Sequence, residues 1–137
     1  MKYIQIFLDT TDLTCLVVGA GEVAARKVEL LLKTSAHITV VAPWVCDTVQ
    51  RFAKEEKIQL IVRPYIVSDM NDKQIVFVAT DNSELNEQIH DQARKQKILV
   101  NVVDNTPLCQ FITPSIVDRS PIIIAMSSGG VAPVLLR

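Results

Sequence analysis

Three small residues follow an apolar run near the start of the chain at the spacing G-x-G-x-x-A. They are Gly19, Gly21 and Ala24, and they open a segment of helical periodicity. In such a turn the first glycine allows a tight bend, the second admits a pyrophosphate close to the backbone, and the third small residue packs helix on strand. The N–H groups of Glu22 and Val23 would then face the phosphates. The spacing predicts a dinucleotide-binding turn, although a plain strand-to-helix turn gives the same pattern.

The residues after the second predicted strand depart from the usual dinucleotide pattern. At that point an Asp or Glu ordinarily holds the adenosine ribose, and a nearby Arg holds the 2′-phosphate of NADP. Here the strand ends in Val41-Ala42 and continues with Pro43 and Trp44. We expect the backbone around Pro43 and Trp44 to contact the cofactor, with the indole either stacked on adenine or simply packed. The lack of an Arg favours NAD over NADP.

Two polar residues follow the fourth and fifth predicted strands. Thr80 ends the fourth strand, and Asp104 ends the fifth in the run NVVDN. Because ligands of open parallel sheets bind beyond the carboxyl ends of the strands, Thr80 is a candidate for cofactor contact and Asp104 for catalysis. A carboxylate that faces a cofactor among apolar residues can have its pKa adjusted for general acid-base chemistry. The alternative for Asp104 is a capping role in the following loop.

The candidate site residues are positioned by strands and helices that alternate along the predicted fold. One of residues 81–83 is expected to cap the third helix, and in the first helix Arg26, Lys27 and Lys33 are expected to point away from the apolar face. The order predicts an α/β fold, a Rossmann-like, mainly parallel sheet with helices on both faces, followed by an extended strand-rich C-terminal arm. The strands are expected at 14–21, 37–43, 58–64, 74–80 and 98–104, and the helices at 22–34, 46–56 and 84–96.

The last third of the chain breaks this alternation. Residues 111–128 contain two strand-like runs with no room for a crossover helix, which predicts a hairpin or extended arm with Pro114 at an edge. The glycine-led tail predicts a loop that enters a helix. We therefore divide the chain into an NAD-binding domain, 1–105, and an arm, 106–137, that begins a dimerisation and substrate region. The uncapped helical end suggests a longer protein, and the apolar arm favours exchange across a homodimer.

Charge and composition limit the possible partners. The 137 residues hold 14 Lys and Arg against 15 Asp and Glu, a net charge of −1, so no global field attracts nucleic acid or a membrane surface. The apolar runs are far shorter than the ~18 residues that span a bilayer. Acids near the N-terminus do not fit a signal peptide, and the three dispersed cysteines fit reduced thiols. These features predict a cytoplasmic protein.

Ligands for a resident metal are scarce. His37 opens the second predicted strand, at the opposite end of the sheet from the candidate site, and His90 lies inside a predicted helix. Cys109 comes soon after Asp104, but a small apolar residue of the loop is the simpler interpretation. The sequence therefore predicts no standing metal site.

Six segments, taken in order, resemble one enzyme family. They are VVGAGEVAARKVELLL, TVVAP, ATD, NVVD, FITPSIVDRSP and SSGGVAPVLLR, and the likeness covers essentially the whole chain. The set is similar to the N-terminal module of siroheme synthase, and its most specific parts, PSIVDRSP and SSGG, are lacking in general dinucleotide-binding domains. That family also has no firm acid after its second strand, so the departure at Pro43 and Trp44 agrees with it.

The resemblance implies a reaction and its residues. It implies NAD-dependent oxidation of precorrin-2 to sirohydrochlorin, and it leaves open a second activity, the insertion of Fe2+ at the same site to give siroheme. Asp104 takes the place of the family's functional aspartate, as a base toward the macrocycle and a transient contact for Fe2+. The turn from Gly19 to Val23 takes the nucleotide-binding role, and Pro43 and Trp44 form the second cofactor contact.

A tetrapyrrole that carries many carboxylates needs a site with cationic or N–H donors. The candidates are Arg119 and the backbone N–H groups of Ser127, Ser128, Gly129 and Gly130. For Arg119 an ion pair with the preceding acid or another surface acid is an equal alternative. Ser128 is also a candidate phosphorylation site, because a phosphate there would place negative charge where the anionic substrate docks.

Two other classes of protein share the glycine turn. A regulatory domain can bind NAD or a nucleotide without chemistry, but such domains usually keep an acid after the second strand and have no need of FITPSIVDRSP. Another small NAD-dependent oxidoreductase would ordinarily use a Tyr and Lys pair or a His as its proton relay, and Tyr3 and Tyr65 lack that setting. The non-catalytic nucleotide-sensing domain stays the main alternative.

Overall fold

A computed structural model of the chain describes residues 1–128. Within them the predicted strands and helices of the sheet are confirmed to within a few residues at their ends. The elements are β1 (Thr14–Val18), α1 (Glu22–Leu32), β2 (His37–Ala42), α2 (Asp47–Lys54), β3 (Gln59–Val62), β4 (Ile75–Val78), α3 (Ser83–Lys95), β5 (Leu99–Val102), β6 (Ser115–Arg119) and β7 (Ile122–Met126). Short 3-10 helices lie at Val67–Met70 and Thr106–Leu108.

The first five strands form one parallel sheet in the order β3-β2-β1-β4-β5. Val18 of β1 pairs with Val41 of β2 on one side and with Val78 of β4 on the other, and Val78 pairs with Val102 of β5. Because these pairs are in register, four strands end at the same level. The Rossmann-like fold expected from the sequence is confirmed, and its strand ends form a single edge, called the carboxyl edge below.

Both faces of the sheet are covered, which explains why the strands are apolar without polar alternation. Cys15 and Val17 of β1 pack with α1 and α2 on one face, and Leu16 and Val18 pack with α3 on the other. All four are at most 2% exposed. Burying an aliphatic side chain of this size stabilises a fold by roughly 1.5–3 kcal/mol, so the carboxyl edge rests on a rigid, two-sided core.

The connection between β3 and β4 contains a 3-10 helix where the sequence predicts only a polar break. Met70, the last residue of this helix, is fully buried against the face that α3 covers. A single apolar residue within a polar run therefore anchors a crossover that lacks an α-helix.

The carboxylate of Asp69 fastens this connection to the end of β3. It accepts hydrogen bonds from the two terminal nitrogens of Arg63, at 2.9 and 2.6 Å, and from the Ile66 N–H at 2.9 Å. The Arg63 guanidinium, helped by the Ile66 N–H, holds the pKa of Asp69 below its ordinary value of 3.8, although partial burial acts in the opposite direction.

We expect Asp69→Asn to lower the free energy of unfolding by roughly 0.5–2 kcal/mol near pH 7, because asparagine loses the charge-assisted hydrogen bonds to the partly exposed Arg63. Because the pKa is lowered in the folded state, the carboxylate stabilises fully above its unfolded pKa and loses this effect as the pH falls through the folded value. Urea unfolding near pH 7 and near pH 2.5 measures the difference, with Asp72→Asn as the exposed control. A difference between native and Asp69→Asn proteins that persists undiminished at the lower pH contradicts the prediction.

Strands β6 and β7 form an antiparallel hairpin outside the main sheet. They correspond to the two strand-like runs of the sequence, and Pro114 immediately precedes β6. Ile122, Ile123 and Ile124 are 63%, 52% and 49% exposed, so β7 presents apolar side chains to its surroundings. The helix predicted after this hairpin lies outside the described residues. Among residues 1–128 there is no helix of the length and apolarity that crossing a membrane requires.

Candidate functional site

The carboxyl edge carries four of the predicted site residues. In spatial order the ends of β2, β1, β4 and β5 lead into Trp44, Gly19, Thr80 and Asp104. Three inter-strand spacings of ~4.8 Å place the two ends of this row roughly 14 Å apart. The chain order reverses between β1 and β4, and such a switch point opens a crevice in which ligands of parallel sheets bind.

Gly19 is required by the fold itself. Its φ is +112°, and a Cβ at this position would lie 2.3 Å from the carbonyl oxygen of Ala79. Any L-residue would therefore be strained in its backbone and would collide with the neighbouring strand end. This glycine lets β1 turn into α1 directly against the chain that leaves β4.

Gly21 is not required by the fold in the same way. Its φ of −88° and ψ of −166° suit any residue, and a Cβ would meet the Trp44 ring at 3.9 Å, an ordinary contact. The described protein tolerates a side chain here, so the missing side chain leaves space at the start of α1 that the packing does not use.

The N-terminus of α1 offers backbone donors beside this space. The N–H groups of Glu22 and Val23 precede the first helical hydrogen bond, from Ala25 N–H to Gly21 C=O at 2.9 Å. The N-cap residue of α1, Gly21, has no side chain that could cap the helix, whereas the side chain of Asn82 caps α3, as the sequence predicts. Exposed N–H groups next to a position without a Cβ fit a pyrophosphate, which is the group that a dinucleotide places at such a turn.

The predicted second cofactor contact lies at the β2 end of the edge. Trp44 is 69% exposed, and its ring edge approaches the Gly21 turn. Pro43 and Trp44, with side chains of α2 and β3, line an open, largely apolar groove of about 490 Å³. A flat, exposed ring next to the phosphate turn fits an adenine better than it fits ordinary core packing, because most of the indole is not packed.

Thr80 holds the start of α3. Its hydroxyl donates to Oδ1 of Asn86 and accepts from the N–H of Asn82 at 3.2 Å, and Nδ2 of Asn86 donates to the Thr80 carbonyl at 3.0 Å. This network explains the residue type without a ligand. The cofactor contact of Thr80 stays a prediction.

Asp104 stands on the loop after β5 with its side chain exposed. Its φ of +61° lies in the left-handed region, which Asp and Asn adopt more readily than other residues with a Cβ. Among residues 1–128 its carboxylate takes part in no hydrogen bond, so the capping role is not seen. The sequence suggests apolar walls around this group, but the structure instead places it in solvent near the cation of Lys27.

A buried amide and an aromatic pair hold the chain that returns from this loop. Nδ2 of Asn101, a residue 5% exposed, donates to the Phe111 carbonyl at 2.9 Å. The Phe111 ring packs edge-on against Phe77, with centroids 5.4 Å apart. This hydrogen bond and this ring contact hold Phe111 against β4 and β5, on the face of the sheet that α1 covers. The sequence contains Asn101 in NVVDN but gives no sign of this partner ten residues away.

Cys109 stabilises the same loop through its thiol. Its thiol donates to the carbonyl of Val102 at 3.1 Å and lies near that of Asn105 at 3.3 Å. Burial, the largest influence, raises the pKa of this thiol, which disfavours the thiolate that metals bind. The structure therefore supports a loop role for Cys109.

Lys27 is the charged group whose position the sequence pattern predicts wrongly. The helical pattern predicts that it points away from the apolar face, but it is half-buried and its Nζ donates to the Thr113 hydroxyl at 3.1 Å. Burial lowers the pKa of Lys27 from its ordinary value of 10.5, and the charge of Asp104 partly opposes this. Its spacing is the available signal, because Lys27 lies three residues after Ala24 and four before Leu31, both buried, and so borders the apolar face.

The predicted substrate donors lie in and after the hairpin. Arg119 ends β6, is exposed, and donates from Nη1 to the carbonyl of Asp118 at 3.1 Å, a backbone contact instead of the ion pair considered from the sequence. Ser127 and Ser128 follow β7, and Ser128 is the less exposed of the two. The positions of Gly129 and Gly130 lie outside the described residues. The roles of these residues, including phosphorylation of Ser128, stay predictions.

Both histidines lie away from the carboxyl edge. His37 opens β2 at its amino end, 3.7 Å from the exposed Asp12, and His90 lies in α3 beside Asp91. Within the described part of the chain no three His, Cys, Asp or Glu side chains come together as a metal site requires.

The chain is similar to proteins of one biosynthetic group. Residues 6–115 match the family described as putative NAD(P)-binding. The chain is 77% identical over 137 residues to the siroheme synthase of Pseudoalteromonas atlantica (strain T6c) and 45% identical over 141 residues to that of Nitrosospira multiformis. It spans 30% of the length of each. A solved structure titled "SirC, precorrin-2 dehydrogenase" is similar with a TM-score of 0.84 and 25% identity, over 98% of this chain and 66% of that one.

Proposed function

Because the chain belongs to the putative NAD(P)-binding family, we propose that it binds NAD and oxidises precorrin-2 to sirohydrochlorin in siroheme biosynthesis. The observation that carries this proposal is the 77% identity to a siroheme synthase over the whole chain, which also confirms the resemblance inferred from the motifs. The likeness to a protein titled precorrin-2 dehydrogenase supports the same reaction. The chain spans only 30% of the siroheme synthases, so the proposal concerns this one step.

The glycine turn and its neighbours support NAD as the cofactor. Gly21 and the uncapped N–H groups of Glu22 and Val23 would hold the pyrophosphate, and Trp44 would contact the adenine. No Arg lies directly after the end of β2, where the 2′-phosphate of NADP would need one, so NAD is favoured over NADP. This orientation directs the other half of the dinucleotide along the carboxyl edge toward β4 and β5.

Asp104 is the proposed base. Bound NAD+ supplies the acceptor for a hydride that leaves a ring carbon of precorrin-2. The carboxylate of Asp104 removes the proton that the macrocycle loses, so that the two hydrogens leave as one hydride and one proton. Its position after β5, at the opposite end of the row from Trp44, supports a place beside the reacting end of the dinucleotide.

The remaining contacts of the substrate follow from the sequence predictions. Arg119 and the N–H groups at residues 127–130 would bind peripheral carboxylates. Fe2+ would be a second substrate, held transiently by Asp104 and the macrocycle nitrogens, and the solvent exposure of Asp104 supports access for a hydrated ion.

The division into an NAD-binding domain, 1–105, and an arm, 106–137, belongs to the same proposal. The arm would form a homodimer, and the exposed isoleucines of β7 support this because they have apolar surface to bury. The three free cysteines, two of them buried, support a reducing compartment such as the cytoplasm.

The test supplies precorrin-2 and NAD+ to the purified full-length protein and follows the absorption spectrum of sirohydrochlorin together with NADH formation. The proposal expects both to appear in equal amounts. NAD+ binding without oxidation of precorrin-2 would instead favour the nucleotide-sensing domain that shares the glycine turn. No binding of NAD+ at all contradicts the proposed function, and binding of another nucleotide in its place would also favour the sensing domain.

A further inference from the structure

We propose that Lys27, held by Thr113, binds a carboxylate of the tetrapyrrole substrate. The inference rests on the function proposed above and adds to it a binding residue on α1, whereas Arg119 and the N–H groups at residues 127–130 all belong to the arm. Lys27 thereby has a role that the helical pattern of the sequence does not predict.

Within residues 1–128 the ammonium of Lys27 has one hydrogen-bond partner. It has three donors, and the Thr113 hydroxyl at 3.1 Å accepts one of them. Among residues 1–128 the ion pairs within 4.0 Å involve other residues, so Asp104 is near enough to influence Lys27 without pairing with it directly. A half-buried cation with one neutral partner has lost part of its hydration, and an anionic ligand would replace what is missing.

The partner of Lys27 is fixed in place. Asn101 and Phe77 anchor Phe111 through a buried hydrogen bond and a ring contact. Thr113 follows two residues later, so its hydroxyl is held over α1 by the core of the sheet and does not depend on a free loop. The position of the ammonium is therefore defined before any ligand arrives, which reduces the entropy lost when an anion binds.

The location of Lys27 favours a carboxylate of the substrate over the cofactor as the anion that it binds. In the described part of the chain, the charged and polar groups near Lys27 are Thr113, Asp104 and Cys109, which all come from the chain after β5, together with the exposed Arg26 of its own helix. The adenosine end of the edge lies at β2, on the other side of the glycine turn. A carboxylate of a substrate that reacts beside Asp104 is the anion that comes within reach.

The charge of Lys27 also offsets a repulsion. Asp104 in its basic form is negative, and a substrate with many carboxylates would be repelled by it. A neighbouring ammonium cancels this charge locally while leaving the carboxylate able to accept a proton. A net charge of −1 over the chain gives no such help, so the compensation has to be local.

The experiment compares full-length Lys27→Met, Lys27→Arg and Thr113→Val proteins with the control Lys33→Met, which removes an exposed lysine directly after the C-terminal end of the same helix. Steady-state kinetics give kcat and KM for precorrin-2 and for NAD+, and absorption titrations give the Kd of sirohydrochlorin. Thermal unfolding monitors the fold of each variant.

We expect Lys27→Met to raise the KM for precorrin-2 and the Kd of sirohydrochlorin about tenfold to a hundredfold, the range for one charge-assisted hydrogen bond. The KM for NAD+ and the kcat should change less than about threefold, and Lys27→Arg should recover most of the affinity. Thr113→Val should raise the KM for precorrin-2 less than Lys27→Met does, because it removes the partner that positions the ammonium but keeps the charge. Addition of salt should weaken sirohydrochlorin binding to the native protein more than to Lys27→Met.

Three outcomes overturn the inference while the proposed function stands. The first is a KM for precorrin-2 in Lys27→Met equal to that in Lys33→Met, and the second is a larger effect on NAD+ than on precorrin-2. The third is an equal loss in Lys27→Met and Thr113→Val with a matching fall in thermal stability, which would show a purely structural contact. A native protein that neither oxidises precorrin-2 nor binds sirohydrochlorin would instead remove the proposed function itself.

Discussion

Replacing Asp104 by asparagine is expected to lower kcat for precorrin-2 oxidation by roughly 10²–10⁴-fold, the usual contribution of a positioned general base. Asparagine has nearly the shape of aspartate and tolerates the left-handed backbone at this position, where φ is +61°. The exposed side chain takes part in no hydrogen bond within residues 1–128, so stability should be unchanged. The loss would then report the missing carboxylate alone.

The measurement separates chemistry from cofactor binding. Calorimetric titration should give a Kd for NAD+ within about twofold of the native value in Asp104→Asn, because the adenosine and phosphate contacts lie at the other strands. Asp81→Asn, which removes an exposed acid after β4, is the matched control and should keep full activity. Asp104→Asn that oxidises precorrin-2 at the native rate would exclude Asp104 as the base.

Replacing each glycine of the turn by alanine is expected to change a different property: Gly19→Ala lowers stability, and Gly21→Ala weakens NAD+ binding. Gly19→Ala should lower the free energy of unfolding by roughly 2–5 kcal/mol, from backbone strain at φ +112° and from a Cβ 2.3 Å from the Ala79 oxygen. Gly21→Ala should leave stability unchanged or raise it by up to about 1 kcal/mol, because its backbone angles suit alanine and the unfolded chain loses freedom. Gly21→Ala should nevertheless weaken NAD+ binding roughly tenfold or more, about 1.4 kcal/mol, because the methyl group enters the space assigned to the pyrophosphate.

Urea unfolding and NAD+ titration of both variants supply the comparison. A Gly21→Ala protein with native affinity for NAD+ would mean that the space at the start of α1 is not the phosphate site. A Gly21→Ala protein as unstable as Gly19→Ala would mean that the fold, and not a ligand, requires this glycine. Either result would remove the main structural support for the cofactor site.

The parts of the fold that the sequence predicts are those fixed by local pattern. Leu16, Val17 and Val18 form an unbroken apolar run because α1 and α3 cover opposite faces of the sheet, and that run alone indicates a buried parallel strand. The glycine turn is equally local, since its spacing lies within one strand-to-helix connection. Met70 shows the limit, because its polar neighbours give no sign that one side chain reaches the core.

The parts of the site that the sequence misses depend on contacts between distant residues. The sequence predicts Lys27 to face solvent, because it does not show that Thr113, 86 residues later, contacts its ammonium. Asn101 reads as a polar residue in a strand until its amide meets the Phe111 carbonyl. Asp104 could be found because it directly follows an apolar strand. Its exposure could not be predicted, because it depends on how the loop after β5 turns.

Helix α1 carries both the uncapped turn at its start and Lys27 about a turn and a half later. With a rise of ~1.5 Å per residue, the six residues from Gly21 to Lys27 separate these points by roughly 9 Å along one rigid axis. A dinucleotide held at one point and a macrocycle held at the other would be kept at a fixed distance by the helix. That spacing would be set by the hydrogen-bonded backbone of α1 and not by the loops around the site.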